Sequence, residues 1–138
     1  MTRRWRNGWT SKFGARRETR QFMKRGEVRW YDFAAPDKRR PVLILTRTSA
    51  LRFLTGVTVA PITSTIRTIP SEVLLSPEDD GVLDLCAVNL DNIQTVPKTQ
   101  LGPVLTTLSF ARMREVEEAL CFALGMDGFT HFVTMEEP

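Results

Sequence analysis

One histidine and two cysteines in 138 residues remove most familiar catalytic and metal-binding chemistries at once. His131 stands alone near the C-terminus, so a two-histidine acid–base pair cannot be assembled. With the isolated Cys86 and Cys121 it forms no zinc constellation of recognisable spacing. Both cysteines sit in apolar stretches and read as buried free thiols of a reducing compartment rather than a disulfide. The chain has no P-loop, no G-x-G-x-x-G, no H-E-x-x-H and no G-x-S-x-G. It also lacks an apolar run of the ~18 residues a membrane helix needs. Any enzyme here works without histidine, and neither a metal nor a cofactor is expected.

Charge is unevenly spread. The whole chain carries +3, yet residues 1 to 22 hold seven of the 19 basic side chains and one of the 16 acidic ones. The rest, with 12 basic against 15 acidic groups, is therefore −3. A nucleic-acid site in that part must come from local placement of cations, not from global excess. The leader places Trp5, Trp9, Phe13 and Phe22 among its arginines and lacks the apolar segment of a secretory signal. It reads as a disordered extension ahead of Met23, with an organelle-targeting peptide or an RNA-gripping arm as alternatives. The expected organisation is a basic extension at 1–22, one domain at 23–126 and a tail at 127–138.

From Met23 the pattern is that of short strands. Glu27 to Phe33 is aromatic and β-branched, with Val28, Trp30 and Asp32 on one face. A turn follows at Ala34 to Arg39. Pro41 to Thr46 is an almost continuous apolar run, which predicts burial on both faces with Pro41 at its first position. After a polar connection from Arg47 to Gly56, Val57 to Thr63 reads as a strand that Pro61 turns into an edge, a bulge or a bend. Glu72–Leu75, Leu85–Asn89 and Ile93–Val96 are three more, separated by turns such as Ser76 to Gly81. Asp79-Asp80 beside Gly81 reads as a solvated turn rather than a cation site. Period then shifts to 3.6: Ser109 is a helix cap, Met113, Val116, Leu120, Ala123 and Leu124 form one stripe, and Gly125 is the stop. The sum is a mainly β chain of five or six strands, a small barrel or bent sheet, with a C-terminal helix against it.

Two apolar strands have polar ends. Lys38, Arg39 and Arg40 precede Pro41-Val42-Leu43-Ile44-Leu45, which holds the Arg40 guanidinium near a barrel rim, where its planar fork suits a phosphate. Val59-Ala60-Pro61-Ile62 ends in Thr63, Ser64 and Thr65, with Arg67 close behind. Alone these endings are weak signals, since many strands start after charges and end in hydroxyls.

Taken in order, however, the segments resemble a family. Met23-Lys24-Arg25-Gly26-Glu27-Val28 resembles the K-R-G-E-[IV] opening of MazF/PemK toxins. Arg39-Arg40-Pro41-Val42-Leu43-Ile44 is similar to their R-P-[VA]-[LV]-[IV] strand, and Val59-Ala60-Pro61-Ile62-Thr63-Ser64 to their V-x-P-[IV]-T-S strand end. Val88-Asn89-Leu90-Asp91-Asn92-Ile93-Gln94-Thr95-Val96 resembles the later D-x-[IP]-[RQE]-[TV] segment, and Leu101-Gly102 with the closing helix resembles the domain's end.

The resemblance implies an SH3-like β-barrel of the MazF/PemK/CcdB-like kind, usually a homodimer. Its members are cytoplasmic toxins that cut single-stranded RNA at short sequences without metal and are held by a cognate antitoxin. The family's active pair carries over to Arg40 and Thr63, and Asp91 matches an Asp that contributes in some members. Arg40 would stabilise the phosphorane, its high pKa making it a poor acid for the leaving 5′-oxygen. Thr63 would hold a phosphate oxygen or the 2′-OH, giving 2′,3′-cyclic phosphate and 5′-hydroxyl ends. Asn89, Asn92 and Gln94 offer amide edges to unstacked bases, and Lys38, Arg39, Ser64 and Arg67 flank the phosphate path; ordinary strand-end polar groups are the alternative for the three amides. The stretch from Phe33 to Arg40 is shorter than in many members, and Asn89 stands where some have Arg, which points to an altered recognition sequence or substrate. The rival reading is a non-catalytic protein of the same fold, either an RNA binder or a gyrase poison, the latter needing neither Arg40 nor Thr63.

Overall fold

Strand alternation is visible from the first element. β1, Glu27–Asp32, turns Val28 and Trp30 into the core and leaves Arg29 and Tyr31 half-buried on the other side. The structure, a computed structural model, describes residues 22–33 and 38–126. Of the expected 1–22 extension only Phe22 falls within it, and the expected tail at 127–138, with His131, lies outside the described residues.

β2, Arg39–Ile44, runs antiparallel to β1 with Val28 opposite Leu43 and Asp32 opposite Arg39. It starts two residues earlier than expected, so Pro41 is an interior residue. Its missing N–H is tolerated because the ladder to the next strand begins only at Val42. Val42, Leu43 and Ile44 are all fully buried, Leu43 in one cluster and its neighbours in another, as a run covered on both faces requires.

β3, Gly56–Thr63, is the long central strand. It pairs with β2 on one side; on the other it changes partner along its length. β4 spans Glu72–Leu75, β5 Cys86–Asn89 and β6 Gln94–Pro97. Gly56 to Val59 pair with β6, whereas Ile62 and Thr63 pair with β5. Pro61 falls at the changeover, where its lack of a donor does least harm. The segment is thus not an edge, contrary to one of the sequence alternatives. A seventh strand, β7 at Val104–Thr107, pairs with β1 and was not expected. The order is β4-β5-β3-β2-β1-β7, with β6 added on β3. The connections also hold short helices: α1, Thr48–Leu51, and α2, Pro77–Asp80.

α3, Phe110–Leu124, begins where Ser109 Oγ accepts the Arg112 N–H and stops at Gly125 in the left-handed region. Met113, Val116 and Ala119 are buried and Leu120 and Ala123 partly so, against a core of Val28, Trp30, Leu43, Ile62 and Leu75. Leu124, expected on this stripe, is instead exposed. The opposite face of the sheet carries a second cluster, Val42, Ile44, Val57, Val59 and Val96, closed over by Leu51 of α1 and flanked by Tyr31 and Phe33.

Two expectations about polar and thiol groups need correction. Asp80 is buried rather than solvated: Arg112 grips it with Nε to Oδ1 at 2.8 Å and Nη2 to Oδ2 at 3.0 Å. The Ser76 N–H also donates to Asp80 Oδ2. This fork joins α2 to α3, and the Asp80 hydrogen bond is the chief cause raising the Arg112 pKa further. Cys121, expected buried, is half-exposed, whereas Cys86 is fully buried and both are free thiols.

Burial pushes the Cys86 thiol up from its ordinary 9.0 to about 12, with the negative charges of Asp80 and Asp84 adding to the effect. A raised folded pKa keeps the thiol neutral in the native state while the unfolded chain ionises. The stability contributed is complete below pH about 9 and lost as pH rises toward about 12. Over that window the unfolding free energy of the wild type should fall more steeply than that of Cys86→Ala, by up to about 1.4 kcal/mol per pH unit. Urea titrations at stepped pH measure this; equal slopes would count against a neutral, buried Cys86.

Candidate active-site cleft

Arg40 occupies the start of β2 and Thr63 the end of β3, the same end of two adjacent antiparallel strands. Alternation puts Arg40, Val42 and Ile44 on one face of β2. Pro61 and Thr63 share a face of β3, and Val42 is registered against Pro61. That face also carries the second apolar cluster. Beyond it the surface opens into a cleft of about 460 Å³ lined by Phe33, Arg40, Pro61 and the run Asp91 to Gln94.

Unlike its neighbour Arg39, Arg40 has no acidic partner among the described residues. Arg25 is paired with Glu117, Arg29 with Glu27, Arg39 with Asp32 and Arg112 with Asp80. Arg40 has no carboxylate partner among the described residues, and its Nε is shielded from solvent with no acceptor. Its guanidinium carbon instead lies 5.9 Å from the centre of the Phe33 ring. Aromatic contact holds the cation without neutralising it. A half-buried, uncompensated fork in an open cleft is suited to an incoming anion.

The opposite wall is a single 3-10 turn, Leu90–Asn92, between β5 and β6. Leu90 is buried and anchors the turn, which leaves Asp91 and Asn92 exposed. Asn89 Oδ1 accepts the Asp91 N–H at 2.9 Å and so caps the turn. Asp91 Oδ2 accepts a 2.5 Å hydrogen bond from the Ser71 hydroxyl. Among the described residues Asp91 is the only carboxylate in the cleft lining. Arg40, Asp91, Asn92 and Gln94 therefore meet in one cleft, although they come from separate parts of the chain.

The other sequence candidates are placed differently. Thr63 does not line the cleft itself. Its Oγ1 accepts the Thr65 N–H at 3.0 Å, so the hydroxyl proton remains to be donated and its rotation is limited. Arg39, one residue from Arg40, faces the other side of β2, 4.9 Å from the Trp30 ring centre and 3.5 Å from Asp32. Asn89 spends its side-chain oxygen on the cap described above. Lys38 is half-buried just before β2, and Ser64 is half-buried just past β3. Arg67 is exposed in the following loop, its backbone N–H donated to Glu72. None of these three lines the cleft. Phe33, Pro61 and Ser71 were not singled out from sequence. The motif around Pro61 contained a hint, but nothing marks a serine 20 residues before the aspartate it holds. No three His, Cys, Asp or Glu side chains among the described residues converge as a metal site. No helix among them is long and apolar enough to cross a membrane.

Residues 24–124 match the family model described as PemK-like, MazF-like toxin of type II toxin–antitoxin system. The chain is 43% identical over 100 residues to "Probable endoribonuclease MazF5" of Mycobacterium tuberculosis, covering 72% of this chain and 87% of the relative. It is 39% identical over 103 residues to "Probable endoribonuclease MazF2" of the same organism, covering 75% and 99%. Among solved structures it resembles the M. tuberculosis toxin MazF-mt6 with TM-score 0.66 and 37% identity, over 73% of this chain and 98% of that one. A mycobacterial endoribonuclease solved with its cognate antitoxin is similar at TM-score 0.67 and 34% identity, over 75% and 96%. The sheet and helix are thus the SH3-like barrel of these toxins, and the chain belongs to the PemK-like, MazF-like toxin family of type II toxin–antitoxin systems.

Proposed function

We propose that the cleft between Arg40 and the Asp91 turn binds single-stranded RNA and that the chain is an endoribonuclease using the RNA's own 2′-OH as nucleophile. The observation that carries this is Arg40, a fork without an acidic partner among the described residues, sharing a cleft with the Asp91 carboxylate and the side-chain amides of Asn92 and Gln94. The endoribonuclease relatives support it.

In the reaction the 2′-oxygen attacks phosphorus, the P–O5′ bond breaks, and the products are a 2′,3′-cyclic phosphate and a 5′-hydroxyl. Asp91 takes the proton from the 2′-OH. The leaving 5′-oxygen takes one from water, because a guanidinium holds its own too tightly. Arg40 balances the charge that grows on the phosphorane, and the Thr63 hydroxyl, its acceptor side already used by Thr65, donates to a phosphate oxygen. Phe33 lines the cleft and offers apolar surface against which an unstacked base can pack, while Asn92 and Gln94 read the base edge. Since RNA brings the nucleophile, orientation and charge suffice and no metal is required.

Residues 23–126 form the toxin domain, and the chain acts in the cytoplasm as a homodimer. The exposed Phe53 and Leu54 beside α1 give a second copy an apolar surface to cover. A cognate antitoxin blocks the cleft, a reading supported by the similar endoribonuclease solved with its antitoxin. The test is to incubate purified protein with mixed RNAs in EDTA and map the new 5′ ends. Cuts at a short recurrent sequence, with 5′-hydroxyl termini, are expected. Intact RNA would falsify the catalytic reading in favour of a non-cutting binder of the same fold.

A further inference from the structure

Ser71 lies outside every segment that resembles the family motifs, yet it holds the Asp91 carboxylate of the cleft. It is 2% exposed, in the turn just before β4, and touches the Leu90–Asn92 turn twice. Its carbonyl accepts the Leu90 N–H at 3.0 Å, and its hydroxyl donates to Asp91 Oδ2 at 2.5 Å. The second distance falls in the short range of hydroxyl-to-carboxylate hydrogen bonds. From the other side Asn89 caps the same turn, and Leu90 is sunk into the core. Backbone and carboxylate of Asp91 are therefore each fixed by a separate partner.

We infer that Ser71 is a positioning residue for RNA cleavage: it orients the Asp91 carboxylate across the cleft from Arg40, occupying Oδ2 so that Oδ1 is left for the substrate. This rests on the catalytic reading above and assigns a role to a residue that touches no substrate. The physical reason is rotational. Asp91 is exposed, and without a donor its carboxylate samples several rotamers, few of them facing the phosphate path. One short hydrogen bond from a buried, immobile hydroxyl fixes that choice before RNA arrives, and orientation set in advance lowers the barrier. No donor to Asp91 Oδ1 is present among the described residues, so that oxygen is open to the 2′-OH.

The inference separates from a merely structural role because Asp91 is exposed. When Ser71→Ala removes the hydroxyl, water replaces it on the carboxylate, so the fold loses little while the orientation is lost. The experiment compares wild type, Ser71→Ala, Ser71→Thr, Asp91→Ala and the Ser71→Ala/Asp91→Ala double variant, by kcat and KM on one RNA oligonucleotide and by thermal melting. Ser71→Ala should lower kcat by roughly ten- to hundredfold with KM nearly unchanged. Ser71→Thr, which keeps a hydroxyl, should recover most of that loss. In the Asp91→Ala background the serine substitution should cost nothing further. An equal loss in both backgrounds, or no loss in either, overturns the inference, and so does an Asp91→Ala variant that cuts as fast as wild type. RNA left intact by the wild type overturns the catalytic reading, and this inference with it.

Discussion

Arg40→Ala is expected to slow RNA cleavage by about 10²–10³-fold while leaving the folded state almost as stable as before. The first half follows from where charge develops. Negative charge builds on the non-bridging oxygens of the attacked phosphate in the transition state, and among the described residues Arg40 is the only cation lining the cleft. The second half follows from its missing partner. Removing an arginine from an ion pair strands a carboxylate, but Arg40 has none to strand, and it contributes mainly a ring contact with Phe33. The loss should therefore appear in kcat/KM and not in the melting temperature. Arg40→Lys supplies the charge without the planar fork and should recover only part of the rate. Initial rates on a defined oligonucleotide, with melting curves alongside, measure both. Undiminished cutting by Arg40→Ala would sink the assignment, and a collapse in stability would show that its role is structural.

Arg112→Met has the opposite profile: a loss of about 3–5 kcal/mol in stability, with the cleft untouched. Asp80 is 6% exposed, and the guanidinium meets both its carboxylate oxygens. Without the guanidinium the carboxylate must stay charged in a poorly solvated place, take up a proton, or drag α2 outward. Asp79, 3.8 Å from Arg112, and Glu115, 2.9 Å away, are exposed and will simply turn to water. Asp80→Asn combined with Arg112→Met should recover much of the loss, since a neutral amide oxygen can still accept the Ser76 N–H. Urea unfolding gives the numbers. A loss below about 1 kcal/mol would mean that the pair behaves like a surface bridge.

Legibility in the sequence followed the length and regularity of each signal. The apolar run Val42–Ile44 and the helical stripe of Met113 and Val116 are long or periodic enough to be read directly, and both are buried as read. β7 escaped because its four residues bury only Leu105 fully and follow Gly102-Pro103, which looks like a loop. Asp80 was misjudged for a different reason. A Ser-Pro-Glu-Asp-Asp-Gly string has the chemistry of an exposed turn, and only its partner, 32 residues away, makes burial tolerable. The cleft divides along the same line. Arg40, Asp91, Asn92 and Gln94 lie in segments that resemble family motifs and do share a cleft. Alternation within β2, rather than composition, separates Arg39 from Arg40. Ser71 was invisible because positioning acts through space, and no local pattern records it.

The route of the chain through the sheet bears on how such a protein is made. β1 lies between β2 and β7, with Glu27 opposite Thr107, so one of the earliest strands is completed by the last. The cleft walls come from Phe33, Arg40, Pro61 and the Asp91 turn, and that turn is held by contacts with β4 and α3. A ribosome must therefore release nearly the whole domain before sheet, turn and helix can close on one another. A partly synthesised chain that lacks β7 and α3 leaves the Asp91 turn without its support, so the cleft is completed only as the end of the domain emerges.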